Sequence, residues 1–151
     1  MLSEKPYLLH ASIGYQLSKT ARLQERGFET ELKSLGLTRI SWCILLAVHI
    51  ESLRNPSAIA DFVGIDRTAT SRALTKMARD GLVERHEEQS DGRRASVQAT
   101  KLGRIRLEKA TQSARKNAAH FEAKLSGMEQ EALRSLLLKL QSGEGSPLPN
   151  L

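Results

Sequence analysis

The sequence predicts a mostly α-helical chain with one small β-hairpin. Three observations predict it. Long stretches repeat apolar residues at four-residue steps, as in Leu9, Ile13, Leu17 and Ala21, which lines them along one helix face. Breaker residues divide these stretches, with Gly36, Pro56, Gly64 and Gly81 at the joints. Between two helical stretches, "LVERHEEQSDGRRASVQAT" (82–100) sets two strand-like ends around Asp91-Gly92. That pair is a strong turn former, because glycine takes positive φ without penalty and aspartate bonds its own backbone.

The elements follow in order. Residues 7–34 read as one long helix, with Phe28 and Leu32 continuing its apolar line. Thr38 is placed to cap a second helix, "RISWCILLAVHIES", whose apolar residues on nearly every side put it in the middle of the structure. Asn55 and Pro56 open a short helix, "SAIADFV", with asparagine as cap and proline at the first helical position. Asp66 caps "RTATSRALTKMARDG", and Gly81 closes it. After the hairpin, Thr100 begins a long helix to about Ser126, with Leu102, Ile105, Ala110, Phe121 and Leu125 as its apolar positions. Ser126 and Glu129 have capping-box spacing for a last helix carrying Leu133, Leu136, Leu137 and Leu140. "GEGSPLPNL" after it is expected to fray. A helix-turn-helix followed by a two-stranded hairpin is a winged-helix arrangement.

Composition narrows the function. The 151 residues are 40% apolar and 26% charged, ordinary for a globular protein, with a core that the 4% of aromatics leaves mainly aliphatic. No apolar run approaches a membrane span, and "MLSEKPYLLH" lacks the pattern of a secretory signal. One cysteine makes no internal disulfide, so the cytoplasm is the expected compartment. A formal charge of +6 favours a polyanionic partner, and its distribution matters more than its total. Residues 66–79 hold Arg67, Arg72, Lys76 and Arg79 against the single acid Asp66.

Spacing divides the helix 67–80 into two faces. Ala69, Ala73, Leu74 and Met77 fall inward, while Thr68, Ser71, Arg72, Thr75 and Arg79 fall outward. Short hydroxyls let a helix sit close to base edges, and Arg72 has the reach for a bidentate pair with guanine O6 and N7. Arg67 and Thr70 join these as candidate DNA contacts. At the hairpin tip, Asp91, Arg93 and Arg94 suit a minor groove, whose narrow walls deepen the negative potential. The plainer readings are a solvated helix face and a turn that keeps an edge strand from aggregating. Finding the two features in succession favours DNA.

"LGLTRISWCILLAV", "SAIADFVGIDRTATSRALTKMARDGLVER", "SDGRR" and the sequence Thr100-Lys101-Leu102-Gly103 together resemble the MarR family of bacterial winged-helix transcription regulators. The family's D-x-R wing motif falls on Asp91 and Arg93. The resemblance implies a winged helix-turn-helix lobe at 37–100 and dimerisation helices at 1–36 and 101–142, which leaves 143–151 as the tail expected to be disordered. It also implies a homodimer held through Leu8, Leu9, Leu133, Leu136, Leu137 and Leu140, for which the sequence offers no obvious partner within the chain. Double-stranded DNA with a pseudo-palindromic operator is the implied target, and repression the implied output. Two departures stand out. The wing entry "RHEEQSDG" lacks the family's usual proline and carries Glu87 and Glu88, and Ala99 stands where leucine is more usual.

The resemblance further implies a small-molecule or oxidant input, read near the junction of the two lobes, and a small aromatic or phenolic effector is the expected partner. Tyr15, Lys19 and Arg22 on the first helix and Arg39, Trp42 and Cys43 on the second are the candidates there. An arginine beside Trp42 suits an aromatic carboxylate through charge-assisted hydrogen bonds. Cys43 offers a thiol-based redox alternative, but its place inside "WCILLAV" predicts inert burial. The four histidines lack metal-ligand spacing, so no metal or cofactor is expected. No nucleophile elbow, phosphate loop or H-E-x-x-H points to an enzyme. The remaining alternative is a winged-helix module that binds protein and has no intrinsic affinity for DNA.

Overall fold

The computed structural model describes residues 5–87 and 95–151. Helix α1 (Ile13–Ser34) starts six residues later than the apolar repeat predicts. The Ser12 hydroxyl accepts the Tyr15 N–H and sets the start, and a single 3₁₀ turn (Leu9–Ala11) precedes it. Helix α2 (Arg39–His49) opens on a reciprocal cap: Thr38 Oγ1 accepts the Ser41 N–H at 3.1 Å, and Ser41 Oγ accepts the Thr38 N–H at 2.8 Å. Its Ile44, Leu45, Ala47 and Val48 are buried, so the all-round apolar helix does lie at the centre.

Helix α3 (Pro56–Val63) begins at Asn55, whose side chain accepts the Ser57 N–H at 2.7 Å. Gly64 closes it at φ 83°, a left-handed conformation that costs glycine little. Asp66 then caps α4 (Arg67–Arg79) by accepting the Ala69 N–H at 2.7 Å. Strands β1 (Val83–Glu87) and β2 (Ala95–Ala99) pair antiparallel, Val83 opposite Ala99 and Glu87 opposite Ala95. The Val97 N–H reaches out of the hairpin to the Arg54 carbonyl at 2.9 Å, and its side chain is fully buried. The wing is thus tied to the segment that enters α3.

Thr100 joins three elements. Its N–H donates to the Leu82 carbonyl, its hydroxyl donates to the Gly81 carbonyl at 2.6 Å, and the same hydroxyl accepts the Gly103 N–H at 3.0 Å. A Cβ at Gly103 would collide with the Leu82 carbonyl oxygen, so only glycine lets α5 (Lys101–Glu122) pass this close. The inward stripe of α5 is Gly103, Leu107 and Ala110. Leu102 and Ile105, predicted as its apolar positions, face out, because steps of four and three from Gly103 define the other side. The helix also ends at Glu122, earlier than expected.

Helix α6 (Gly127–Gln141) has the predicted capping box, with the Ser126 N–H donating to Glu129 at 2.8 Å. None of its residues is buried. The segment after it does not simply fray: Leu148 makes a parallel β-bridge to Ile65. The chain as a whole exposes 11287 Å². A folded 16.7 kDa monomer is expected to expose about 7,600 Å². Among the described residues, no helix is long and apolar enough to cross a membrane.

Candidate nucleic-acid interface

Helix α4 presents two chemically distinct sides. Leu74 and Met77 are buried against the core, and Ala73 and Ala78 pack beside them. Arg67, Thr68, Ser71, Arg72, Thr75, Lys76 and Arg79 are exposed and together line one open groove of about 670 Å³. Four of these seven residues are cations and none is an acid. The orphan N–H groups of the helix start add partial positive charge at the Arg67 end.

Thr70, expected among the contacts, is not on this face. It is only 1% exposed, and its hydroxyl donates to the Asp66 carbonyl at 2.9 Å. Its place four residues before Leu74 puts it on the inward stripe, and the internal bond satisfies its hydroxyl there. Lys76 belongs to the outward face although the expected contacts omitted it. Its spacing from Arg72 was the available signal. Lys76 also pairs with Asp80 at 2.5 Å. That hydrogen bond, aided by the charges of Lys76, Arg79 and Arg106, holds the Asp80 carboxyl below its ordinary value.

Of the wing, the two strands are in place beside α4. Asp91, Arg93 and Arg94 at the expected tip lie outside the described residues.

The effector candidates divide into two groups. Arg39 and Trp42 line a cleft of about 300 Å³ between α1, α2 and α5, together with Phe28, Asn117 and Phe121. Phe28 and Trp42 meet edge to face with centroids 4.9 Å apart, and the Arg39 guanidinium lies 5.9 Å from the Phe28 ring. Arg39 approaches Glu25 at 4.0 Å, yet its Nε is buried with no hydrogen-bond partner among the described residues. The Trp42 indole donates to Thr111 Oγ1 at 3.3 Å, and its half-buried ring both packs against the core and walls the cleft.

Tyr15, Lys19, Arg22 and Cys43 do not line the cleft. Tyr15 instead packs edge to face on His10, with Lys19 Nζ 6.0 Å from its ring centroid. Arg22 is exposed. Burial pushes the Cys43 thiol above its ordinary value, and Arg39 offsets this only in part, the opposite of what a reactive thiolate needs. Leu8, Leu9, Leu133, Leu136 and Leu140 are exposed, and Leu137 is half-buried.

A helix pair crossed over a tight turn, a basic outward helix and a hairpin tied to its side define a winged helix-turn-helix protein. Residues 35–94 match the model described as MarR family. Solved structures of such regulators have the same fold. One is BpsR of Bordetella bronchiseptica, described for regulation of its DNA binding by 6-hydroxynicotinic acid, at TM-score 0.82 and 19% identity over 92% of this chain and 99% of that one. Another is a mutant MarR from E. coli complexed with operator DNA, at TM-score 0.76 and 22% identity over 85% and 92%. A third is a probable transcriptional regulator from Pseudomonas aeruginosa, at TM-score 0.75 and 27% identity over 88% and 99%. Among curated proteins nothing matches the chain.

Proposed function

We propose that this protein is a dimeric, sequence-specific DNA-binding transcriptional regulator that answers to a small aromatic or phenolic effector. The outward face of α4 carries this reading: four cations and three hydroxyls line one groove with no carboxylate among them. Such a face fits a major groove, where hydroxyls permit close approach and Arg72 is placed to read guanine. In a dimer the two α4 helices enter successive major grooves about 34 Å apart, which makes the operator pseudo-palindromic. Arg93 then clamps a flanking minor groove on each side, with Asp91 orienting it and Arg94 adding a phosphate contact. Repression follows by excluding polymerase, and the working compartment is the cytoplasm.

Dimerisation is supported by surface. The excess of roughly 3,700 Å² per chain over a compact monomer is more than each partner of an obligate homodimer needs to bury. Its sources include Leu8, Leu9, Leu133, Leu136 and Leu140, with Leu137 beside them. In this reading 37–100 is the DNA lobe, while 1–36 and 101–142 build the dimer. The effector enters the cleft of Arg39 and Trp42. There the Arg39 guanidinium donates to an aromatic carboxylate or phenolate, and Phe28 and Trp42 pack against the ring. BpsR and MarR, as described above, supply the precedent of an aromatic acid and of operator DNA.

The test is selection from a random duplex library at two salt concentrations, with Arg72→Ala in parallel. A two-fold symmetric motif is expected, with affinity falling steeply in salt at a slope of about −0.9 per phosphate contact. Arg72→Ala should lose about 1–3 kcal/mol at one base position in each half-site. An unchanged motif and affinity in Arg72→Ala would remove α4 as the reader. No enrichment at either salt would move the function to a protein partner.

A further inference from the structure

Residues 142–151 follow α6 and return to the DNA lobe. There the Leu148 N–H donates to the Gly64 carbonyl at 3.1 Å, and the Asp66 N–H donates to the Leu148 carbonyl at 2.8 Å. Gly64 ends α3 and Asp66 caps α4, so the two bonds grip both sides of the helix-turn-helix joint. Asp66 thereby uses every polar group it has. Its carboxylate caps Ala69, its carbonyl accepts from the N–H and hydroxyl of Thr70, and its N–H is spent on Leu148.

The sequence specifies this register. Pro147 and Pro149 have no N–H, so Leu148 is the single amide donor in its triplet. Pro149 also bars Leu148 from the helical region and keeps it extended, as a bridge requires. The Leu148 side chain is half exposed, which leaves the backbone as the contact. Arg67 and Thr68 remain exposed with the bridge in place. The segment therefore holds the entry of α4 without covering its outward face.

We propose that the segment around Leu148 is a positioning element for the recognition helix. It fixes the angle at which α4 leaves the turn and ties that angle to α6. Leu148 lies seven residues beyond the last residue of α6, a span of at most about 24 Å. Whatever places α6, above all a second copy of this chain, therefore bears on the start of α4. The inference rests on the DNA-binding reading of α4.

Three variants test it: a chain stopped after Ser146, Leu148→Pro and Leu148→Ala. Each is read by amide hydrogen exchange at Asp66, by the melting temperature, and by affinity for the duplex selected from the random library. The stopped chain should exchange the Asp66 amide at least ~10-fold faster while melting with the parent. Its affinity should fall ~3–10-fold, with relaxed preference at the base pairs nearest Arg67 and Thr68. Leu148→Pro, which deletes the donor but stays extended, should fall between the stopped chain and the parent. Leu148→Ala keeps both backbone groups and should behave as the parent. Unchanged Asp66 exchange in the stopped chain would disprove the bridge. Faster exchange with unchanged affinity and sequence preference would reduce the bridge to a structural tie. Tighter binding would make the segment a cover and overturn positioning. If the full chain enriches no duplex, the DNA-binding reading fails and positioning fails with it, while the exchange rate still reports the bridge.

Discussion

The winged lobe and the α6 arm obey the same helix rules and reach opposite ends. In the lobe, α2 and α4 bury Ile44, Leu45, Leu74 and Met77, and the polar residues caught inside, Ser41 and Thr70, find internal acceptors. In α6, four of five leucines stay exposed, Leu138 at 67%, and the helix touches the rest of the chain mainly through its first turn. A finished core satisfies itself. On the dimer reading proposed above, a helix that is well capped yet buries nothing is half of an interface, because capping sets where a helix starts and only packing stabilises it.

The contrast is broken most strongly by Leu74→Ala. That residue is completely buried, so the lobe should lose about 2–5 kcal/mol in chemical denaturation. Next comes the double variant Leu136→Asp with Leu140→Asp. It should weaken self-association at least ~100-fold by sedimentation while leaving the lobe's own unfolding transition in place. A monomeric parent chain would refute the half-interface reading.

Gly103→Ala probes the joint between the two regions. The added methyl group strikes the Leu82 carbonyl, which already accepts the Thr100 N–H, so about 1–3 kcal/mol should be lost in the same denaturation measurement.

The smallest effect belongs to Asp80. Its carboxyl is held below its ordinary value, so its contribution is present at neutral pH and is lost as pH falls through the lowered folded value. Asp80→Asn should be slightly less stable than the parent at pH 7, and the difference should vanish in acid. Paired thermal melts across pH would show it. A gap that persists in acid would mean that the loss is not electrostatic.

What the sequence made legible was local. Thr38, Asn55, Asp66, Thr100 and Ser126 each cap a helix as their spacing predicts, because a cap needs only residues within one turn. The outward face of α4 was likewise written in its 3.6-residue period. Thr70 was misplaced because a hydroxyl reads as polar in sequence, yet a bond to the carbonyl four residues back lets it lie inside. The outward turn of Leu102 and Ile105 was missed because Gly103, without a side chain, carries no hydrophobic signal although it sets the packed face of α5. The bridge at Leu148 joins residues more than eighty positions apart, and no local pattern encodes that pairing. In the cleft, Arg39 and Trp42 lie one turn apart and were foreseeable as neighbours. Asn117 and Phe121 enter it from α5, a distance that only the fold resolves.

Thr100 has a mechanical consequence. Because one residue bonds both the turn that joins α4 to the wing and the start of α5, a tilt of the 22-residue α5 would have that threonine as its fulcrum. Such a rod is about 33 Å long, and a tilt of about 6° moves its far end by about 3.5 Å. The cleft lies well out along this rod, at Asn117 and Phe121, where such a tilt would give its largest displacement. The lobe sits at the short end, where the same motion would become a fine rotation applied with high leverage.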